Sequence, residues 1–515
     1  MDIGLNNYQD GFGEFNQDQE AQELLKAMSA GQITGRDTTN QLLTQEPLKA
    51  ESLEKTLKLV EFRMKDIQLW NAMPKLPAYN TVEEFLQLES YGTDRGGFYN
   101  EGELSDVEDS KYRRRAETVK YIQVTGEVTY QAQIVKSHVD AMRKEVENKT
   151  MWILRKANSS LTKADAGIIP QEFNSIYKQH ASIGVADGDL YTSLEQYIEN
   201  SQVVIDKRGA SLTQEDIEEG AIRVDANYGN VDCLFAPPSV TSGISRDYIS
   251  KQRILLNGGQ GLGDKNGVAL GTVAKVIPTS FGDVALKHDK FMKRDVEKAF
   301  TVTSGAQAAG SATSLKAPNA PVTSAAALTG ADTSSKFAAG ETHTGALGTV
   351  FYAVSAINRY GESALTILPN ATTKITLTAA QSVDLTFTDG GGAVAASGYV
   401  IYRSKVTAVA NASTTEVFFY PIFKVSTGEH TVGYDGGAAG IIRDRNRYLP
   451  DTEGAFESEM VDEVMSFKQL APLSKLNLAV LSMSRRFITF LFGTPQLYTP
   501  KKMIRFINVG PFVAA

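Results

Sequence analysis

The sequence predicts an α+β protein in which an all-β sandwich is inserted into a mixed body. Residues 163–295 combine helical and strand patterns, as a mixed α/β region does. From residue 300 the chain becomes almost uncharged and rich in Ala, Ser, Thr and Gly, and short strands then recur at even spacing to about residue 440. Helical and strand patterns return from residue 441, so we expect the main domain to close after the sandwich.

The amino-acid composition limits the classes of protein to which this chain can belong. A length of 515 residues suggests two to four domains, and 42% hydrophobic with 22% charged residues is ordinary for a folded chain. The net charge of −8 disfavours a sequence-reading DNA binder. The single Cys233 excludes an intramolecular disulfide and is expected to be a small buried core residue.

No targeting or membrane segment is predicted. The N-terminal stretch is polar and acidic, unlike a signal peptide, and no apolar run reaches the ~18 residues that a membrane span needs. We therefore expect a soluble protein made in a reducing compartment, without a membrane partner.

Residues 1–79 are predicted to form an N-terminal arm and a helix. Residues 1–50 are polar and indicate a flexible arm or removable leader. Apolar residues then fall at helical spacing over 51–69, and Pro74 and Pro77 end the pattern.

Residues 80–130 are predicted to form an extended β-loop. Its tip carries five acidic residues: Glu101, Glu103, Asp106, Glu108 and Asp109. A long strand follows near residues 119–126. A two-stranded ribbon is barely stable alone, so we expect it to lie on another subunit.

A basic run, Arg113, Arg114 and Arg115, follows the acidic cluster. Two interpretations stay open. The run could be a solvated loop tip, or its charges could complement a neighbouring subunit and set register and orientation. Together with the five acids, these arginines are the candidate inter-subunit contact residues.

Residues 131–184 are dominated by a predicted helix over 131–162, a rod of roughly 45 Å. Residues 185–300 are predicted as mixed α/β. There Thr213 caps a helix with Asp216 in its first turn, and a strand, turn and strand follow in IRVDANYGNVDCLFAPPSV.

The remaining segments are a linker at 301–317, the inserted sandwich at 318–440 and a return to the main body at 441–515. Six strands are predicted in the sandwich: TVFYAVSAI, ALTIL, KITLT, VDLTFT, GYVIYRS and EVFFYPIFKV. Residues 460–483 have a helical, apolar pattern, and residues 486–510 are strand-rich.

Motifs for catalysis and cofactors are missing from the sequence. It contains no GxxxxGK[ST], HExxH, GxSxG or CxxC pattern. The glycine loop at 257–267 lacks the dinucleotide register and is interpreted as a mobile surface loop. The five scattered histidines do not predict a metal site. We therefore expect no catalytic residues, no cofactor and no enzyme.

Three stretches carry a family resemblance: LKAESLEKTLKLVEF, VIDKRGASLTQEDIEEGAIRVDANYGNVDCLFAPPSV and RFITFLFGTPQLYTPKKMIRFINVG. In amino-acid sequence and in their order along the chain they resemble major capsid proteins of tailed bacteriophages. The resemblance is to capsid proteins of large contractile-tailed phages, which have the Hong-Kong-97-type fold. The resemblance covers about three quarters of the chain, outside the insert. It implies a phage capsid fold with an N-terminal arm, an extended β-loop, a spine helix of the peripheral domain and an axial α/β domain.

The resemblance also implies function and partners. The subunit would self-assemble into hexamers and pentamers of an icosahedral head shell around double-stranded viral DNA, in the virion, after assembly in the host cytoplasm. Scaffolding protein, portal, a maturation protease and decoration proteins are the implied partners, with non-specific proximity to DNA. Glu46 and Glu51 fit the cleavage pattern of related phages loosely.

The insert resembles an immunoglobulin-like or fibronectin type III domain. GYVIYRS is similar to the third strand of that family, and YAVSAINRYGES to its sixth strand and following turn. Their order is reversed here, which indicates either a circular permutation or a general likeness among β-sandwiches. The alternative functions are an adhesin-like binding protein that uses this module, and an α/β enzyme decorated with it.

Overall fold

The computed structural model describes residues 62–92, 98–104, 107, 109–134, 140–181, 203–251, 276–293, 298–300, 316–338, 347–368, 374–392, 394–407, 417–480 and 483–511. Five predicted features therefore lie outside the described residues: the arm at 1–50, Asp106, Glu108, the glycine loop at 257–267 and nearly all of the linker at 301–317.

Seven helices and twenty-three strands are described. The helices are α1 (Gln68–Ala72), α2 (Tyr130–Ile134), α3 (Ala141–Lys163), α4 (Ile176–Ala181), α5 (Gln214–Asp225), α6 (Pro238–Lys251) and α7 (Thr427–Val432). The first nine strands are β1 (Lys75–Pro77), β2 (Val82–Ser90), β3 (Lys111–Thr118), β4 (Lys120–Thr129), β5 (Val204–Asp206), β6 (Cys233–Ala236), β7 (Val276–Thr279), β8 (Gly282–His288) and β9 (Lys298–Phe300). The others are β10 (Val322–Ala331), β11 (Thr349–Val350), β12 (Tyr352–Asn358), β13 (Gly361–Glu362), β14 (Thr366–Leu368), β15 (Ile375–Thr376), β16 (Gln381–Thr388), β17 (Gly398–Ser404), β18 (Val417–Ser426), β19 (Ile441–Asp444), β20 (Glu453–Ser458), β21 (Met465–Asn477), β22 (Ser484–Leu497) and β23 (Met503–Val509).

The predicted helix over 51–69 is wrong at its described end. Arg63 has an extended backbone, and only a short 3₁₀ turn at Met64–Asp66 precedes α1. The Asp66 carboxylate accepts a hydrogen bond from the Arg63 backbone N–H at 2.8 Å. A side chain that satisfies this N–H fixes the start of a new turn and interrupts the longer helical pattern.

The long helix is shorter than predicted. Asp140 caps α3 by accepting hydrogen bonds from the backbone N–H groups of Met142 and Arg143, at 2.9 and 3.3 Å. Its 23 residues span about 35 Å rather than 45 Å. The sequence pattern runs through Asp140, because hydrophobic periodicity carries no information about a cap.

A four-stranded sheet, in the order β1-β21-β22-β4, lies against α3. The helical prediction for 460–483 is wrong, because this segment contains strand β21. Residues 465–477 pair along β22, with bulges near Ala471, and β1 pairs with them on the other side. Pairing with the following strand β22, and with the much earlier strand β1, outweighs local helical spacing here.

A six-stranded mixed sheet, β5-β23-β20-β6-β8-β7, packs with α5 and α6 around a hydrophobic cluster. The predicted cap of α5 is confirmed, since the Thr213 N–H donates to the Asp216 carboxylate at 2.8 Å. Residues 222–225 continue this helix, so the strand predicted there is wrong. Cys233 is buried as expected.

The central β-rich segment forms two sheets that pack face to face. The smaller sheet is β10-β16-β19, and the larger is β13-β12-β17-β18-β9, with β14 also pairing with β12. Residues such as Leu385 and Ile442 on the smaller sheet share a hydrophobic cluster with Val354 and Ile401 on the larger. All six strands predicted from sequence are present, and β9, β10, β13 and β19 complete the two sheets.

Strands β12 and β17 are buried on both faces. The alternation in YAVSAIN predicts one solvated face, but a second cluster covers that face. It includes Phe351, Val400 and Tyr402, together with Ile168 from the loop after α3. The sandwich therefore packs directly against the body of the protein.

A buried ion pair between Arg403 and Asp444 lies in the sandwich core at the end of β19. The Arg403 guanidinium donates to the Asp444 carboxylate at 2.7 Å, and the Tyr352 hydroxyl donates to the same carboxylate at 2.8 Å. Arg403 also donates to the Asn446 side chain at 2.7 Å. Arg403 and Asp444 are 1% and 2% exposed, so each depends on the other for electrostatic compensation.

The chain just beyond this ion pair is tied to the six-stranded sheet. Arg208 donates to the Asn446 carbonyl at 2.7 Å. The Asn508 side chain donates to the Arg447 carbonyl at 2.7 Å and accepts from the Leu449 N–H at 2.9 Å. These bonds orient the sandwich relative to β23.

His180 makes the stability of this body sensitive to acid. Its ring Nε2 donates to the Met503 carbonyl at 2.8 Å, and burial lowers the pKa of the imidazole to about 3. The folded chain therefore holds His180 neutral, whereas the unfolded chain protonates it below about pH 6.5. Its contribution to stability is complete above that pH and is lost as the pH falls from about 6.5 towards 3.

Between about pH 7.5 and about pH 5, wild type is expected to lose about 2 kcal/mol more unfolding free energy than His180→Gln. Urea denaturation at the two pH values measures the difference. The exposed His288→Gln is the matched control and should behave like wild type. Identical pH dependence in wild type and His180→Gln would contradict the assignment.

Candidate assembly surface

The three arginines and the described acids singled out from sequence, Glu101, Glu103 and Asp109, lie on or beside a β-hairpin. Strands β2 and β3 pair antiparallel, with Val82 opposite Thr118 and Leu88 opposite Tyr112. Side chains alternate between a half-buried inner face and an exposed outer face. Strand β4, which the sequence also assigns to the extended loop, pairs instead with β22 in the four-stranded sheet.

The inner face of the hairpin is anchored to the C-terminal segment of the same chain. The Phe85 and Tyr498 rings meet edge to face with centroids 4.9 Å apart. The Gln87 side-chain amide donates to the Tyr498 carbonyl, and Gln496 donates to the Glu83 carbonyl at 3.2 Å. These contacts fix the direction in which the hairpin leaves the body.

The outer face presents an apolar strip that the described residues leave exposed. Its members, which we call the outer strip, are Val82, Leu86, Leu88 and Tyr112. Leu86 is 73% exposed and Tyr112 68% exposed. A Glu84–Arg114 ion pair lies across the two strands on this face. Contiguous exposed apolar side chains beside charges are typical of a protein–protein contact.

The three arginines do not act as one group. Because side chains alternate along β3, Arg114 points outward, whereas Arg113 and Arg115 lie on the half-buried inner face with Glu117. Asn174 donates to the Glu117 carboxylate at 3.1 Å, and burial raises the pKa of that carboxyl. The run belongs to a strand rather than to the loop tip, and its members lie on opposite faces of that strand.

The described acids lie beyond the two strands. Glu101, Glu103 and Asp109 are exposed, and Glu103 accepts a hydrogen bond from the Asn100 N–H at 2.8 Å within a turn. Large apolar side chains accompany them, among them the fully exposed Phe98 and the strongly exposed Leu104. The tip therefore combines negative charge with apolar surface.

A second group of exposed apolar side chains lies at the end of the four-stranded sheet where the chain turns from β21 to β22. The sequence-based candidates do not include this group. It consists of Tyr130, Ile134, Leu476, Val480 and Met483. The Tyr130 N–H donates to the Met483 carbonyl at 2.9 Å, which joins α2 to the β21–β22 turn. We call this group the distal patch. The helical prediction for 460–483 contains no turn between two strands, so the sequence does not predict this group.

The described residues contain no group of three or more His, Cys, Asp or Glu side chains placed to hold a metal ion. Within the same part of the chain, no helix is long and apolar enough to cross a membrane.

No protein-family model matches the sequence. The chain is 21% identical over 497 residues to a protein named major capsid protein of Staphylococcus phage S25-3, and the alignment covers 96% of each chain. It is 21% identical over 496 residues to a putative major capsid protein of Enterococcus phage phiEF24C, covering 95% of each. Among solved structures, the capsid of cyanophage P-SCSP1u matches with a TM-score of 0.41 at 8% identity, over 91% of this chain and 95% of that one.

Proposed function

We propose that this chain is a major capsid protein of a tailed bacteriophage. It self-assembles into hexamers and pentamers of the icosahedral head shell that encloses double-stranded viral DNA. The observation that carries this conclusion is similarity along 96% of the chain to a protein named major capsid protein. Its role is structural rather than enzymatic, and its place is the virion capsid.

The described architecture supports a finer assignment to the Hong-Kong-97-type fold. In this assignment 1–79 is the N-terminal arm and its helix, and 131–184 is the peripheral domain with α3 as spine helix. Residues 80–130 are the extended β-loop region, in which β2 and β3 form the projecting hairpin while β4 joins the four-stranded sheet. Residues 185–300 form the axial domain and 441–515 complete both domains, except for β9 and β19, which lie in the sheets of the sandwich. The mixed sheet β5-β23-β20-β6-β8-β7 fits the axial role, because it combines strands from 203–288 with two C-terminal strands.

The hairpin is proposed to reach a neighbouring subunit through its outer strip and tip. The inner face is already occupied by the chain's own residue Tyr498, so the outer face is the one left for a partner. Arg114 and the acids Glu101, Glu103, Asp106, Glu108 and Asp109 would set register, while Arg113 and Arg115 support the subunit's own packing. The distal patch is proposed as a second self-contact.

The insert, from 318 to 440 with linker 301–317, is proposed to be a circularly permuted immunoglobulin-like sandwich. In that family the third, sixth and seventh strands share one sheet. Here the third-strand candidate β17 pairs antiparallel with the sixth-strand candidate β12, and β14, which follows β12 in the chain, pairs on its other side. This neighbour order supports permutation over a chance likeness.

Further partners follow from the proposed role: scaffolding protein, portal, a maturation protease and decoration proteins, with assembly in the host cytoplasm. Contact with packaged DNA would be non-specific. A net charge of −8 fits a container, since strong attraction to the phosphate backbone would hold the DNA against the wall.

Negative-stain electron microscopy of the purified full chain, with and without its scaffolding protein, tests the proposal. Closed shells or rings of five and six subunits are expected. A stable monomer that binds a surface ligand through the sandwich would instead establish the adhesin-like alternative, and turnover of a substrate by the monomer would establish the enzyme.

A further inference from the structure

A cavity of about 180 Å³ lies where three parts of the chain meet. The end of α3 contributes Lys163, α4 contributes Tyr177, β18 of the sandwich contributes Lys424, and β23 contributes Arg505. This volume is several times the ~30 Å³ that one water occupies in the liquid, so a multi-atom ion can enter.

Arg505 brings an uncompensated charge to this cavity. It lies half-buried in the middle of β23, and its guanidinium carbon is 4.2 Å from the centroid of the Tyr177 ring. Among the described residues no carboxylate forms an ion pair with it, and its buried Nε–H has no hydrogen-bond partner. A partly buried cation without an anion is costly, and a bound anion removes that cost.

Tyr177 lines the same cavity and carries a second unused donor in its wall. Its hydroxyl oxygen is buried and, among the described residues, has no hydrogen-bond partner. Burial raises the pKa of the phenol, so the group keeps its proton at neutral pH and can donate it to an acceptor. The ring is held by Arg505 on one side and by Phe456, with centroids 5.8 Å apart.

The charge balance of the lining also favours an anion. Lys163, Lys424 and Arg505 supply three cations, and Glu453 is the single carboxylate among the described lining residues. Arg505 stacks on the Tyr177 ring, and guanidinium and phenol groups are both donors that suit the oxygens of a tetrahedral oxyanion.

We propose that this cavity binds a small tetrahedral oxyanion, of the class of inorganic phosphate, through Arg505 and Tyr177. The bound ion joins the end of α3, the sandwich and the six-stranded sheet. Because it binds the folded chain alone, it raises the stability of the fold with a saturating dependence on concentration. Anion binding at this cavity does not require the chain to form a shell.

Isothermal titration calorimetry and thermal unfolding of the full chain with sodium phosphate, against sodium chloride of equal ionic strength, test the proposal. Saturable binding with a dissociation constant on the order of 1 mM or below is expected for wild type. Arg505→Met should weaken binding about tenfold or more, and Tyr177→Phe by about threefold, since the ring is kept and one hydrogen bond is lost. Arg485→Met, which removes an exposed arginine on β22, is the matched control and should bind like wild type.

Two results would overturn the site. One is the absence of saturable binding in wild type at about 10 mM phosphate. The other is an equal, non-saturating rise in melting temperature in wild type and Arg505→Met, which is the general effect of an excluded salt. If Arg505→Met does not fold, Tyr177→Phe decides: affinity equal to wild type also overturns the proposal.

Discussion

Replacing Asp444 with Ala is expected to lower the free energy of unfolding by about 3–5 kcal/mol. The substitution leaves the Arg403 guanidinium, 1% exposed, in the sandwich core without its carboxylate. It also removes the acceptor of the Tyr352 hydroxyl. Guanidinium chloride denaturation followed by fluorescence measures the loss.

Arg443→Met, one residue before Asp444 on β19, is the control variant for this loss of stability. Its pair with Asp384 is also close, at 2.7 Å, but both side chains are 21% exposed, so a loss of at most about 1 kcal/mol is expected. Combining Asp444→Leu with Arg403→Met should recover part of the stability, because no isolated charge then stays buried. A loss below about 1 kcal/mol in Asp444→Ala would show that the core accommodates the free guanidinium.

Leu86→Asp is expected to abolish shell assembly while leaving the isolated subunit folded. Leu86 is 73% exposed in the subunit, so the change should alter unfolding free energy by no more than about 0.5 kcal/mol. In an assembled contact of about 1,600 Å² the same carboxylate would be buried without a partner. Electron microscopy and sedimentation velocity should show at least a tenfold fall in assembled material, equivalent to about 1.4 kcal/mol per contact.

Leu328→Asp is the matched control, since it places the same charge on an exposed leucine of the sandwich's smaller sheet. It should assemble normally. Arg114→Glu should also reduce assembly, whereas the subunit alone keeps its stability. Normal shells from both Leu86→Asp and Arg114→Glu would remove the outer face of the hairpin from the assembly surface.

Local chemistry explains which elements could be predicted. The capping box at Thr213 and Asp216 is predictable because both partners lie within one turn. The six sandwich strands are predictable because alternating or continuous apolar runs are bounded by glycine-rich turns. Strand β21 is not predictable in this way, because its residues are extended only through pairing with β22 and β1.

The candidate assembly surface also combines features that local patterns predict with features that only the tertiary structure determines. The acids and the three arginines were identified by their clustering, but their roles depend on which face of β3 each occupies. The outer strip mixes leucines with charges, so its exposure could not be inferred from periodicity. The distal patch required knowledge of the β21–β22 turn.

The sequence by itself determined the strands of the sandwich, the cap of α5 and the burial of Cys233. Each of these depends on residues close together in the chain. Only the tertiary structure decided that β12 and β17 are buried on both faces, that Arg403 finds Asp444, and that Arg505 and Tyr177 share a cavity. The reason is physical: burial and charge compensation are set by contacts between distant segments, and local patterns do not encode those contacts.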